Sequence, residues 1–582
     1  MSVTTGNRTK DKVIMHGDKI LLALLPFWTS LIPPMGISCI KSFLQQYGYD
    51  VKAVDANVRS EFGEVNNDYL KTLAGFVPGN KRGNFYNIAT DIVNKHMMAH
   101  LNYQDRREYM ELIKLVVFQT FFCELNDSQV IQLDQMIAEF YRRFEKYFID
   151  LLKQEEPAVL GLSMYSATAP ASLFAFRLTK ERFPHIKTVM GGGIFTGELD
   201  IDSPNFKFFL EKTPYIDKII VGEGEKLFLK YLQGKLPESQ VVYTLKDIDH
   251  ETLNLDTVEI PDFTDFDLRY YPNLAAYTSR SCPFQCTFCS EVVIWGKYRK
   301  KTAKLVVEEL NKLSKKHNYQ LFLMSDSLLN PIITDLANEF INAGISIYWD
   351  GYLRADKPAC NIENTMLWRR GGFYRARLGL ESGSPHILQA MGKKIMPDQI
   401  KAAVSSLAYA GIKTTTYWVI GYPGETEEDF CQTLALIEEL KDDIYEADCN
   451  PFTYLLTGQV NSHQWADENR SISLYPETAR DMLMFQTWVL GGEPSRERTF
   501  QRLNRFVQHC NNLGIPNPYM LQEIQKADER WKKLHKNAVP SIVEFMPNKD
   551  NKSHTIDENK NIKKIVFARN IPVKINEGAW GF

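Results

Sequence analysis

Apolar positions along the chain follow two strand–helix alternations, with a purely helical stretch inside the first. KILLALLP (19–26) is a short apolar run that ends in the loop FWTSLIPPMG. ISCIKSFLQQYGY then repeats apolar residues at helical spacing as far as Gly48, and VKAVDAN returns to an extended run ending at Asp55 and Asn57. Strand, loop, helix and strand in that order predict the start of a parallel sheet. From about 60 to 155 the period changes. MELIKLVVFQTFFCEL and IQLDQMIAEFYRRFEKYFIDLL read as long helices, which predicts a helical insertion or lid. His96 and His100 stand four apart in this stretch; with no third ligand of fitting type nearby, they read as structural. The sheet pattern resumes with PAVLGLSMYSATAP, a helix to Arg182, IKTVMGGG and IDKIIVGEGE.

Ligands of open parallel sheets sit at the carboxyl ends of the strands. The pattern places four loops on that edge: Phe27–Gly36, Ser163–Thr168, Gly191–Thr196 and Gly222–Glu225. Tight turns alone account for single glycines. Four such loops on one edge predict a ligand crevice.

Residues 236–274 read as a linker, and the alternation then restarts. Strands are expected near 275–281, 320–325, 346–351, 374–380, 414–420 and 444–452, with helical patterns between them. Six strand–helix repeats predict a partial barrel with its active face at the strand carboxyl ends. The fold class is therefore α/β. A tail (1–17) precedes a Rossmann-like domain (18–235, insertion 60–155), the linker, the partial (β/α)6 barrel (275–460) and a mixed, mostly helical region (461–582). That last region holds amphipathic helices to about Leu534, a polar stretch PNKDNKSHTIDENKN and a strand-like IKKIVFARNIPVKI; its FQTWVL stripe reads as core.

Composition narrows the function. The chain has 582 residues, 44% hydrophobic and 24% charged, with a net charge of −3, which is globular usage without the basic excess of a nucleic-acid surface. The polar start lacks the apolar core of a signal peptide, and prolines interrupt the most apolar stretch, Lys19–Ile40. A soluble cytoplasmic protein without a membrane span is expected. Nine cysteines are too sparse for a disulfide scaffold.

Three of those cysteines are crowded. SRSCPFQCTFCSE sets Cys282, Cys286 and Cys289 in a C-x3-C-x2-C array just after the first barrel strand. A structural zinc site takes four protein ligands, and the loop offers three. Three thiolates suit a [4Fe–4S] cube with one iron left open. Free thiols, zinc with a distant fourth ligand and an electron-transfer cluster are the competing readings. The six remaining cysteines, Cys39 among them, are scattered; Cys431 lies on a helical pattern and reads as packing, and a distant functional thiol is the competing reading for each.

This array resembles the signature of the radical S-adenosylmethionine (SAM) superfamily, and six strand–helix repeats fit that family's barrel. The resemblance implies that the open iron chelates SAM and that the reduced cluster cleaves it to a 5′-deoxyadenosyl radical. It implies SAM contacts at Phe288, before the third cysteine, at Glu381 and Ser382 in RLGLESGS, and at Gly421 and Gly424 in YWVIGYPGETEEDF. Ser325 and Asp326 stand where many relatives carry Gly-Gly-Glu. The Gly491–Glu493 triplet lies after the barrel and reads as a turn.

The N-terminal text LIPPMGISCIKSFLQQYGYDVKAVDAN, GLSMYSATAP, VMGGG and IIVGEGE is similar to the cobalamin-binding domain that precedes the barrel in one branch of that superfamily. The resemblance implies cobalamin contacts at Trp28, Pro34, Ser163, Tyr165, Ser166, Thr168, Gly191, Gly192, Gly193, Gly222, Glu223 and Gly224. The Asp-x-His-x-x-Gly motif that supplies a cobalt ligand elsewhere is missing, and neither His16 nor His185 is placed to replace it. The expected function is cobalamin-dependent C-methylation of an unactivated carbon in a small-molecule or peptide substrate. The cofactors would be a [4Fe–4S] cluster, SAM and cobalamin, with an electron donor such as flavodoxin or ferredoxin. The rival readings are ring contraction or cyclisation with the same cofactors, and a non-catalytic cobalamin or redox sensor.

Overall fold

Runs of Val, Ile, Leu and Ala too short for helices pair side by side, because a strand covered on both faces must be apolar throughout. A computed structural model describes residues 17–28, 31–455, 471–517 and 521–535. The strand-like segment 562–575 and the polar stretch before it lie outside the described residues, as does His16. The first sheet comprises β1 (Lys19–Leu24), β2 (Asp50–Asp55), β3 (Val159–Ser163), β4 (Lys187–Gly191), β5 (Lys218–Ile220) and β6 (Val242–Tyr243). Its order is β2-β1-β3-β4-β5-β6, parallel throughout. The order reverses between β1 and β3, so the loops after those strands diverge and open a crevice. Helices α1 (Met35–Gln45), α6 (Ala169–Arg182), α7 (Pro204–Lys212) and α8 (Gly224–Leu232) connect the strands.

Between β2 and β3 stand the four helices of the insertion, α2 (Ser60–Phe76), α3 (Phe85–Asn102), α4 (Arg106–Phe121) and α5 (Asp127–Glu155). His96 is buried between two tyrosines: Tyr69 Oη and Tyr109 Oη each lie 2.8 Å from a ring nitrogen. Tyr109 spends its own proton on Asp134, so His96 donates to Tyr109 and accepts from Tyr69. His100 bonds Asp134 at 2.7 Å. Both rings therefore serve the bundle.

Strand β6 falls in the stretch read as linker, since a two-residue edge strand carries no periodic signal. The rest of that stretch is strapped to the first sheet. Lys41 pairs with Asp262 at 2.8 Å and Asp265 at 2.6 Å, and Tyr271 donates to Asp55 at 2.8 Å.

The second sheet comprises β7 (Leu274–Ala276), β10 (Leu321–Met324), β11 (Tyr348–Leu353), β12 (Phe373–Glu381), β13 (Lys413–Ile420) and β14 (Glu446–Pro451), parallel and adjacent in chain order. A side ladder of β8 (Ser279–Arg280) and β9 (Arg299–Lys300) flanks α9 (Glu291–Trp295). Helices α10 (Ala303–His317), α11 (Ile333–Ala343), α12 (Ile362–Arg370), α13 (Pro385–Ala390), α14 (Pro397–Tyr409) and α15 (Glu427–Glu439) complete the repeats. Buried ion pairs link the barrel strands: Arg377 of β12 to Asp350 of the adjacent β11 at 2.8 Å, and Arg375 of β12 across β13 to Glu446 of β14 at 2.9 Å.

The C-terminal region contains β15 (Ser471–Ser473), α16 (Arg480–Leu483), β16 (Trp488–Leu490), α17 (Arg496–Asn512) and α18 (Leu521–Leu534). The end of the FQTWVL stripe is β16, half-buried and paired antiparallel with β15, so it is not core. Asp528 of α18 holds Lys413 at the start of β13 at 2.5 Å. The insertion touches both the barrel and this region: Asn84 donates to the Cys449 carbonyl at 2.7 Å, and Arg496 to the Gln119 carbonyl at 2.8 Å. Among the described residues no helix is long and apolar enough to cross a membrane.

Candidate active site

The carboxyl edges of the two sheets face each other across a partly open cavity. On the first-sheet side it is lined by Met35, Cys39 and Ile40 of α1, Ser163 and Tyr165 at and just after the end of β3, Gly191 and Gly192 at and just after the end of β4, and the Gly222–Glu225 turn. On the barrel side it is lined by Tyr277, Ser279, Arg280, Ser281, Trp295, Ser325 and Ser327. Glycine is obligatory at 192. Its φ is +108°, and an added Cβ would lie 2.4 Å from the Met164 nitrogen and 2.5 Å from its carbonyl oxygen. That close approach keeps the cavity edge thin.

The cysteine loop leaves β8 through Ser281, whose φ is +73°. Its middle is tied to the barrel: Thr287 N donates to the Met391 carbonyl at 3.0 Å, and Thr287 Oγ1 lies 2.7 Å from Tyr422 Oη. Burial pushes the Cys282 thiol up to about 11 and raises Cys289 as well, and each feels the charge of Cys286. Glu291, next to them, is buried and pushed up to about 8 by desolvation, although Ser327 donates to it. Among the described residues no three His, Cys, Asp or Glu side chains gather as a single ion requires. A cube gives each thiolate its own iron, so its ligands stand apart and need not converge on one point. The donor set, three thiols on one short loop beside a cavity, with Cys286 buried and Cys282 and Cys289 half-buried, fits such a cluster.

Several residues singled out in the sequence line the cavity: Ser163, Tyr165, Gly191, Gly192, Gly222, Glu223, Gly224 and Ser325. Others are committed elsewhere. Trp28 packs on Tyr165 with ring centroids 4.3 Å apart and is absent from the lining. Pro34 precedes α1 and accepts from Ser38 at 2.7 Å. Ser166 bonds Glu198 at 2.5 Å, Thr168 folds back on Tyr165, and Gly193 is buried in a short turn. The Glu223 side chain, expected to meet a ligand, is held by Arg280 at 2.8 Å and by Arg299.

The barrel positions divide in the same way. Asp326 accepts from Thr278 N at 2.9 Å, Thr278 Oγ1 at 2.7 Å and Ser279 Oγ at 2.5 Å, so it braces the approach to the cysteine loop instead of facing a ligand. Ser382 is fully buried against Thr433 and Ser384. Glu381 has a φ of +67° and is paired with Lys393 at 3.0 Å. Phe288 packs with Ile387, Met391 and Tyr422. Gly421 is explained by α17, since an added Cβ would lie 2.2 Å from Thr499 Oγ1. Gly424 has a φ of +85° and open space around its Cα, and its N–H binds the Glu493 carbonyl at 2.9 Å. The Gly491–Glu493 triplet is thus a turn braced on the β13 loop.

The residues that sequence reasoning missed are mostly those feeding the cysteine array. Tyr277, Ser279 and Ser281 alternate along YTSRSC, a period-two signal that was available but was overshadowed by the cysteines. Cys39 needed the fold, because nothing in ISCIKSF distinguishes a lining position from a packing one; burial pushes its thiol up to about 12. Tyr277 Oη and Ser325 Oγ are buried without a protein partner, so the cavity wall carries two free hydroxyls.

Residues 277–437, from the run into the cysteine loop to the last turn of α15, match the Radical SAM superfamily. The barrel is a radical SAM domain. Enzymes of this superfamily use SAM and a [4Fe–4S] cluster. The chain is 25% identical over 348 residues to an anaerobic magnesium-protoporphyrin IX monomethyl ester cyclase of Rubrivivax gelatinosus (54% of this chain, 60% of that protein). It is 26% identical over 318 residues to an uncharacterized methyltransferase of Pyrococcus horikoshii (50% of this chain, 66% of that protein). The match thus spans less than two thirds of either relative. The solved structure of the radical SAM methyltransferase TsrM from Kitasatospora setae, with cobalamin and a [4Fe–4S] cluster bound, aligns with a TM-score of 0.54 at 12% identity. That alignment covers 90% of this chain and 100% of TsrM, and shows a shared fold extending beyond the radical SAM domain.

Proposed function

We propose that this protein is a cobalamin-dependent radical SAM C-methyltransferase acting on a small molecule or peptide. One observation carries the reading: the cavity is walled on one side by the glycine turns of a Rossmann-like sheet and on the other by the residues leading into the cysteine loop. A cobalamin lying along the sheet edge would rest on Gly191, Gly192 and the Gly222–Gly224 turn, with Ser163 and Tyr165 beside it. No histidine lines the cavity among the described residues. Cys282, Cys286 and Cys289 would hold the cluster, and Ser325, Glu381 and Phe288 are the candidate SAM contacts. When bound, the cluster and SAM supply a radical able to take hydrogen from an unactivated carbon, and methylcobalamin supplies the methyl group. The chain's own part is to hold these groups on either side of one cavity and to orient them toward each other.

The test is anaerobic reconstitution of the full chain with iron, sulfide, cobalamin and SAM, with flavodoxin, ferredoxin or a chemical reductant as electron source. Methylation predicts product one CH2 heavier together with 5′-deoxyadenosine. A second reading, non-methylating ring closure, draws support from the cyclase relative; its product would carry no added CH2. Replacing all three cysteines by Ala should abolish bound iron and SAM cleavage. Parent-level iron in that variant would sink the cluster assignment.

A further inference from the structure

Arg354 follows β11 at the carboxyl edge of the barrel and is buried. Its backbone is clamped on both sides by one residue: Arg354 N donates to Asn330 Oδ1 at 2.8 Å, and Asn330 Nδ2 donates to the Arg354 carbonyl at 3.0 Å. The guanidinium lies over the Phe284 ring, 4.2 Å from its centroid, inside the span between Cys282 and Cys286. Nη1 donates to Cys286 Sγ at 3.7 Å. Nη2 is buried with no partner. The other buried arginines of the barrel, Arg375 and Arg377, are each paired with a carboxylate, and Arg354 makes no ion pair among the described residues. Asp356 interacts with this charge electrostatically but makes no ion pair with it, so the buried guanidinium keeps a free N–H for a negative group that arrives later.

Resting on the reading of the cysteine loop as a cluster site, we propose that Arg354 is a positioning residue that sets the cluster's reduction potential. It does so by holding fixed positive charge against the Cys286 sulfur. Adding one electron to the cluster makes the site one charge more negative, with no bond made or broken, and the electron comes from the reductant. A dry guanidinium beside a ligating sulfur favours that more negative state. Phe284 and Asn330 keep the fork from turning away when the charge changes.

The experiment is a redox titration of reconstituted full-length protein, followed by electron paramagnetic resonance with dithionite as reductant, first without SAM and then with it. Arg354→Gln should load iron as the parent does. Its ratio of reduced to oxidised cluster at a fixed poise should fall at least tenfold, which is about 59 mV for a one-electron couple. Arg354→Lys, which keeps the charge and loses the fork, should fall between the two. Asn330→Ala frees the backbone clamp without removing charge and should shift the ratio in the same direction; it is the deciding variant if Arg354→Gln binds no iron. An unshifted potential without SAM overturns the proposal, including the case in which a shift appears only with SAM, where the arginine would serve the SAM carboxylate instead. A parent protein that never binds iron refutes the cluster reading itself and removes this proposal with it, whereas an iron-loaded parent with an indifferent Arg354 refutes this proposal alone.

Discussion

Arg280 is the best single place to test whether the two sheets work as one unit. It lies on β8, two residues before Cys282, and reaches across the cavity wall to the Gly222–Glu225 turn of the first sheet. Its guanidinium holds Glu223 at 2.8 Å and Glu225 at 2.6 Å, with the three side chains only 9%, 5% and 5% exposed. Arg299 also holds Glu223, so replacing Arg280 by Met strands chiefly the Glu225 carboxylate. Removing one partner of a buried pair costs about 3–5 kcal/mol, because the remaining charge has lost its compensation. That range corresponds to amide exchange faster by roughly two to four decades if opening limits exchange. Hydrogen exchange followed by mass spectrometry should show the acceleration in β8 and in the first turn of α8, and little change in the insertion helices. Adding Glu225→Gln to Arg280→Met should recover part of the loss, since the stranded charge is then gone. Acceleration of less than tenfold in Arg280→Met, or a double variant no better than the single one, would refute the idea that this ion pair fastens the cysteine loop to the glycine turn.

Other outcomes follow from single positions. Gly192→Ala forces a left-handed backbone on a residue with a Cβ and drives that Cβ into Met164, so stability should fall by at least about 1–3 kcal/mol. The same variant should lose bound cobalamin absorbance after reconstitution; parent-like denaturation and retention would count against both the strain and the site. Acid should loosen the insertion through His96, whose burial depresses its pKa from 6.5 to about 3. The unfolded chain then takes up a proton below pH 6.5 that the folded chain refuses, so the contribution is full above 6.5 and declines as pH falls toward 3. By pH 5 the loss is about 2 kcal/mol relative to pH 7. Exchange in α3 measured at the two pH values checks this, and His96→Gln should flatten the difference. Asp134, held low by His100, Tyr109 and Arg106 against its own burial, loses its contribution only as pH falls below about 4, so it does not confuse a comparison of pH 7 with pH 5.

The sequence alone determined the two parallel sheets, the helical insertion and the cysteine array. These are local properties. Apolar runs of a few residues bounded by turns are too short for helices and read as covered strands, helical spacing repeats within a few residues, and three cysteines within eight positions cannot be far apart in any fold. Glycine loops at strand ends were legible for the same reason. What the tertiary structure decided was the direction in which each polar side chain near those loops points. Glu223 and Asp326 carry the right chemistry for ligands but spend their oxygens on Arg280 and on Thr278 and Ser279. Gly421 looks like a cradle in sequence and turns out to be clearance for α17. Arg354 and Cys39 are silent in sequence, and they acquire meaning only when β11 and α1 bring them to the cysteine loop and the cavity. Pattern fixes backbone period, whereas a long-range partner fixes the use of a charge, and partners such as Thr278 and Asp326, 48 residues apart, leave no trace in spacing.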